Sequence, residues 1–159
     1  MSESILKTKS FDFAVRIVKL SRSLIQEKQE FVLSKQILRS GTSIGANNEE
    51  ANQAQSRKDF VHKLAIALKE ATETNYWIRL LRESGSLETS IADSLLDDCR
   101  QIEKMLTASI KTTKAVANKL STVHCQLSTF MDVQSAAFGL VILIIVVALI
   151  FDYVNGFHD

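Results

Sequence analysis

The sequence contains no proline and only five glycines in 159 residues. Proline interrupts a helix and glycine destabilises it, so their scarcity favours long helices over an architecture of short strands and turns. The stretches that could break a helix are few and short. We therefore predict an all-α protein.

Cysteine and histidine are also scarce, with two and three residues respectively. Cys99 and Cys125 have no second cysteine or histidine at ligand spacing on a shared element, which excludes a recognisable metal site or disulfide framework. Glu-x-x-His, with which helical bundles hold paired metal ions, does not occur. His62 is expected to occupy a surface position or a hydrogen-bonded structural position on a helix, and not to act as a base. We predict no catalytic residues, no metal and no cofactor.

Four segments have the polar boundaries and apolar spacing of helices. The candidate caps are Ser10, Ser34, Ser56 with Asp59, and Gly85 at a carboxyl end. The predicted helices cover about residues 10–29, 34–52, 56–84 and 89–119. Connections this short join antiparallel neighbours, so residues 1–119 are predicted to form an antiparallel up-down four-helix bundle.

The first helix has apolar residues on two different faces. They are Phe11, Val15 and Val18 on one face, and Phe13, Ile17, Leu20 and Leu24 on the other. A monomeric bundle needs to bury only one of these faces. The other indicates self-association, with a wide core as the alternative explanation.

Charge is divided unevenly along the chain. Residues 1–119 contain all 19 Lys and Arg and 15 of the Asp and Glu, whereas residues 120–159 contain only three aspartates. No basic run stands out. An excess of four positive charges on the bundle predicts, at most, weak and strongly salt-dependent binding of nucleic acid.

The second helix contains Gly41 and Gly45 in the segment RSGTSIGAN (39–47). Each glycine costs a helix about 1 kcal/mol relative to alanine, so a compensating interaction is expected. Residues four apart share one face, where two missing side chains allow a neighbouring helix to approach closely. A phosphate-binding glycine loop is the alternative, but no Gly-Lys-Ser/Thr follows and no strand precedes.

RSGTSIGAN (39–47), EA (50–51), KDFVHKLAIALKEA (58–71) and ETNYW (73–77) together resemble the four-helix-bundle family of proteins encoded by intervening sequences in bacterial 23S ribosomal RNA. The resemblance covers roughly residues 5–118. It implies a non-catalytic homo-oligomer of unsettled role, a pentamer as in relatives. The resemblance leaves open a structural module and a binding module, with RNA or a reverse-transcriptase-like protein as the candidate partner. The motif positions are Gly41, Gly45, Asn47, Glu50, Asp59, Phe60, Lys69, Glu70 and Trp77.

Residues 133–151 carry no charged side chain. At about 1.5 Å per residue they extend for roughly 28 Å, close to the hydrocarbon thickness of a bilayer. We therefore expect a bundle (1–119), a linker (120–131) and a single C-terminal transmembrane helix (132–159). The full chain is then expected in a membrane, and the bundle alone in the cytoplasm.

The final segment, FDYVNGFHD (151–159), resembles the amino terminus of an inorganic phosphate transporter when read with Met131 and the apolar stretch. The resemblance implies phosphate or cation contacts at Asn155, Gly156, His158 and Asp159. A transporter fragment with the bundle as an appendage is thus the alternative function. One helix cannot enclose a solute path, so we expect these residues to be inactive and residues 120–131 to be translated spacer in a fused or read-through frame.

Overall fold

A computed structural model describes the backbone of residues 5–155 and most of their side chains, the exceptions being 120, 123–137 and 148–155. The described residues form four helices: α1 (Ile5–Lys28), α2 (Val32–Asn52), α3 (Arg57–Glu83) and α4 (Thr89–Asn155). The prediction of an all-α protein is confirmed over this part of the chain.

The chain divides into two compact units, Met1–Ala115 and Val116–Asp159. In the first unit α2 packs against both α1 and α3. The amino-terminal part of α4 closes the bundle, because Asp98 pairs with Arg16 of α1 and the Cys99 thiol lies 3.3 Å from the Ala71 carbonyl oxygen of α3. The predicted helical bundle is therefore present.

Each of the four helices contributes apolar side chains to one core. The largest fully buried ones are Phe13, Ile17, Leu24, Ile37, Ile44, Leu64, Ile78, Leu81, Leu95, Leu96, Ile102 and Leu106. Burying one such side chain contributes about 1.5–3 kcal/mol, so this core is the main source of stability in the bundle.

The two apolar faces of α1 differ in burial. Phe13, Ile17, Leu20 and Leu24 all lie in the core. On the other face Phe11 is 66% exposed and Val15 is 39% exposed. Val18, the third residue of that face, is half-buried, so the core covers the second face only in part.

Ser10 and Ser34 do not cap helices, and these two predictions are wrong. Both are buried within helices, where the Ser10 hydroxyl donates to the Lys7 carbonyl oxygen at 3.0 Å. The helix α1 begins at Ile5, ahead of the predicted cap. At the start of α2 the Glu30 carboxylate accepts hydrogen bonds from two backbone amides, each at 2.9 Å, which does the work expected of a serine cap.

The boundaries of α3 agree with the sequence. The Asp59 amide donates to the Ser56 hydroxyl at 3.1 Å, and the Asp59 carboxylate accepts from the Gln55 amide at 3.3 Å. After α3 ends at Glu83, Gly85 adopts a positive φ of 73°, the conformation that glycine accommodates without strain.

The fourth helix is much longer than predicted, at 67 residues. No proline or glycine lies between Gly85 and Gly139, so nothing in the sequence stops the helix at Lys119. Residues 120–131, predicted as a linker, are helical and belong to α4. Their origin as translated spacer stays a prediction.

The predicted transmembrane helix (132–159, with its core at 133–151) is wrong: among the residues that the structure describes, no helix is both long enough and apolar enough to cross a bilayer. In the apolar stretch the described side chains are those of residues 138–147, which are exposed. The rest of the stretch lies outside the described side chains.

Gly41 and Gly45 both lie where α2 meets α1. A Cβ atom added to Gly41 would lie 2.8 Å from two side-chain carbons of Ile17, inside van der Waals contact. A Cβ atom added to Gly45 would lie 3.4 Å from the Ser10 carbonyl oxygen. The close approach predicted from the shared face is thus present, and it is tighter at Gly41.

We expect Gly41→Ala to destabilise the bundle by about 1–2 kcal/mol, since overpacking against Ile17 outweighs the gain in helix propensity. Gly45→Ala is the matched control and should be neutral or stabilise by up to about 1 kcal/mol. Urea unfolding of residues 1–119 measures both. Equal stability of the two variants would show that the Ile17 contact does not constrain this position.

Candidate functional site

The contact between α2 and α3 brings together charged motif residues that are far apart in the sequence. The Glu73 carboxylate accepts a hydrogen bond from the Trp77 indole nitrogen at 3.1 Å and another from the Arg39 guanidinium. Arg39 also lies 3.7 Å from the Glu70 carboxylate, so one cation serves two carboxylates. The indole hydrogen bond, followed by Arg39, lowers the pKa of Glu73.

A second polar pair lies beneath this charged group. The Thr74 hydroxyl donates to the Ser40 hydroxyl at 2.9 Å, and both residues are fully buried. The Thr74 hydroxyl also lies 2.7 Å from the Glu70 carbonyl oxygen of its own helix, so the contact with Ser40 adds to a bond made within α3. These motif residues therefore contribute a buried polar contact between α2 and α3.

The remaining bundle-motif positions are also mostly structural. Asn47 donates from its side-chain amide to the Ser43 carbonyl oxygen at 2.8 Å, and Glu50 pairs with Lys63. Asp59 belongs to the α3 cap described above, and Phe60 packs against the core. Lys69 is exposed on α3 and is the one such position with no described structural contact.

The structure does not test the transporter-motif positions. Asn155 is the last residue of α4, and its side chain lies outside those described. Gly156, His158 and Asp159 lie outside the described residues altogether.

The described residues include no group of three or more histidine, cysteine, aspartate or glutamate side chains that could hold a metal ion. His62 is exposed on α3. Burial raises the pKa of the Cys99 thiol to about 12, so this side chain is protonated at neutral pH and is a poor nucleophile.

A basic surface that the sequence did not reveal lies along α4. We define the basic face as Arg79 of α3 together with Arg100, Lys104, Lys111 and Lys114 of α4, all of them exposed. The four α4 residues fall within about 80° of the helix circumference and extend over about 21 Å. Their spacing of four, seven and three residues in the sequence indicates one face of a helix. A search for adjacent basic residues does not detect this pattern.

Little negative charge offsets the basic face. Among the described side chains none of its five cations forms an ion pair, and the seven ion pairs found involve other residues. The Glu103 carboxyl lies near Arg100 and Arg79, and burial raises its pKa. Arg100, Glu103, Lys104 and Lys111 line a groove of about 390 Å³. The groove therefore offers cations to an anionic ligand.

Comparisons with known proteins agree with the bundle. The family model described as 23S rRNA-intervening sequence protein matches residues 2–108. The crystal structure of a protein with unknown function from the S23 ribosomal protein family of Bacteroides thetaiotaomicron is 55% identical, with a TM-score of 0.67. That match covers 67% of this chain and 99% of the other. No curated protein matches. The family match ends at residue 108, so it does not support a resemblance to a phosphate transporter.

The charged group at Glu73 makes stability depend on pH. Because its pKa is lowered in the folded state, the stabilisation is present above the unfolded pKa of about 4.3 and is lost as the pH falls through the folded value. Glu73→Gln keeps an acceptor for the indole but removes the charge. We expect it to cost about 1 kcal/mol at pH 7 and progressively less towards pH 3.

Urea unfolding of residues 1–119 between pH 3 and 7 measures this difference. Glu27→Gln, at an exposed carboxylate of α1, is the control and should change stability little at any pH. A constant loss across the pH range in Glu73→Gln would mean that charge at Glu73 does not stabilise the α2–α3 contact.

Proposed function

We propose, from the premise that this chain belongs to the 23S rRNA-intervening sequence protein family, that its bundle is a non-catalytic RNA-binding module that acts as a homo-oligomer. The observation that carries the proposal is the basic face. Its five cations are exposed, four of them are aligned along α4, and none is neutralised by a described ion pair, as a surface for a polyanion requires.

The shape of the basic face favours the backbone of a nucleic acid over a small anion. A small anion is held by converging donors, whereas the four α4 cations are spread over about 21 Å. A line of cations of this length suits successive phosphates along a strand. Contacts of this type position the ligand without reading its sequence.

RNA is the nucleic acid that we propose because the similar solved structure is described as a member of a ribosomal protein family. Proteins recognise double-stranded RNA mainly by its shape, through phosphates and 2′-hydroxyl groups. A rigid helical surface such as α4 suits that mode of binding. We therefore propose a structured RNA as the ligand, bound through its backbone.

Homo-oligomerisation strengthens this proposal. Residues 1–119 have a net charge of +4, which in a single copy neutralises few phosphates. A pentamer, which the family resemblance implies, multiplies this charge fivefold and presents several basic faces to one RNA. Binding by several faces at once increases the overall affinity.

The test is RNA binding by residues 1–119 with the double variant Lys104→Glu/Lys111→Glu. We expect the dissociation constant for a duplex RNA to rise roughly tenfold or more. The slope of the logarithm of affinity against the logarithm of salt concentration should become shallower by about two. Fluorescence anisotropy from 50 to 200 mM salt measures both quantities.

The matched control is Lys28→Glu/Lys35→Glu, which makes the same change in net charge at exposed lysines of α1 and α2. It should retain most of the affinity. Equal losses in the two double variants would show that net charge matters and the basic face does not. Absence of RNA binding by the unsubstituted bundle at 50 mM salt would refute the proposed ligand.

A further inference from the structure

The solvent-facing side of α3 carries a line of exposed residues outside the bundle core. Lys69, Thr72, Tyr76 and Arg79 follow one another at intervals of three, four and three residues, and all four are exposed. Residues at this spacing share one face of a helix, so the four side chains form a line of about 15 Å, which we call the α3 stripe. Arg79 also belongs to the basic face, so the two surfaces are continuous.

Two residues of the α3 stripe come from the sequence motifs and yet face solvent. Lys69 is exposed, and Tyr76 is 50% exposed. The Tyr76 ring meets the Trp77 ring edge to face, and Trp77 is itself packed against the core. This contact restrains the tyrosine ring and leaves it accessible.

An exposed aromatic ring between two cations matches the chemistry of an unpaired nucleotide. Unpaired RNA bases stack on aromatic side chains, while lysine and arginine hold the phosphates beside them. Along α3, Lys69 lies about 10 Å before Tyr76 and Arg79 lies about 4.5 Å after it. A base stacked on Tyr76 therefore has a cation on either side for its neighbouring phosphates.

Carboxylates of α3 near this line are already paired with other cations. Glu73 pairs with Arg39, and Glu83 pairs with Arg82. The two cations of the α3 stripe take part in none of the ion pairs found among the described side chains. An incoming phosphate therefore meets cations that no described carboxylate occupies.

We infer that the α3 stripe binds one unpaired nucleotide of the RNA, with the base stacked on Tyr76 and the adjacent phosphates on Lys69 and Arg79. The inference rests on the proposed RNA binding and specifies the kind of RNA. The basic face holds the backbone of a duplex, and an unpaired nucleotide beside that duplex reaches the ring. Phosphates alone make no use of an aromatic ring, so Tyr76 distinguishes such an RNA from a fully paired one.

Two RNAs that share one duplex, one of them with a single-nucleotide bulge, test the inference in the full chain. The unsubstituted chain should bind the bulged RNA roughly tenfold more tightly, which is the order of affinity that stacking of one base contributes. Tyr76→Leu should remove this preference and change the affinity for the paired duplex less than about twofold. Tyr76→Phe keeps the ring and should keep the preference. Fluorescence anisotropy at constant salt concentration measures each dissociation constant.

The matched control is Phe31→Leu, since Phe31 is an aromatic residue with the same 50% exposure, located directly before α2. It should alter the affinity for neither RNA. Circular dichroism should show an intact bundle in all variants.

Equal affinity of the unsubstituted chain for the two RNAs would overturn the inference, as would equal losses for both RNAs in Tyr76→Leu. A smaller oligomer in Tyr76→Leu, measured by sedimentation equilibrium, would also overturn it, because the ring would then serve a contact between copies of the chain.

Failure of the inference is distinguishable from failure of the proposed function. If the unsubstituted chain binds neither RNA, the proposed RNA-binding module is refuted together with the α3 stripe. If Lys104→Glu/Lys111→Glu weakens binding while Tyr76→Leu has no effect on either RNA, the proposed function stands and the α3 stripe alone is refuted.

Discussion

The close approach of α2 to α1 at Gly41 is the constraint on which the rest of the bundle depends. There Ile17 of α1 occupies the space that any larger residue at position 41 would need, with 2.8 Å between its carbons and an added Cβ. This contact sets the distance between the two helices. At that distance the Asn48 amide reaches the Ser10 hydroxyl at 3.3 Å, and the Ser21 hydroxyl reaches the Ser34 carbonyl oxygen at 3.2 Å. Close packing and polar satisfaction therefore specify the same arrangement.

The most distinctive sequence motif is explained by architecture and not by chemistry. Ser40 with Thr74, and Arg39 with Glu73, are pairs across the same contact between α2 and α3. The surface that supports a function is the basic face, four of whose five residues come from a helix segment without any conspicuous motif. These paired residues maintain the fold, whereas the proposed phosphate contacts come from ordinary lysines and arginines at regular spacing.

The sequence predicted the helices well because scarcity of glycine and proline and the apolar spacing act locally. The Ser56–Asp59 cap is equally local, and it was found. Ser10 and Ser34 were wrongly predicted as caps because the sequence does not distinguish a capping serine from a serine buried within a helix. Only contact with a neighbouring helix distinguishes the two. The end of α4 was misplaced because loss of amphipathic spacing does not by itself stop a helix. The basic face was missed because four of its residues come together only through the periodicity of α4. The fifth, Arg79, joins them only because α3 packs beside α4.

Trp77 gives this molecule an internal optical reporter. It is the single tryptophan of the chain, and its indole nitrogen donates to Glu73 at the α2–α3 contact while its ring meets Tyr76 edge to face with centroids 4.9 Å apart. Intrinsic emission excited at the red edge of the tryptophan band therefore arises from this one contact. Opening of the helix pair exposes the indole to water and changes that emission, whereas fraying at the far end of α4 leaves it unaltered. Local separation of α2 from α3 and global loss of helix are thus distinguishable within one unlabelled sample.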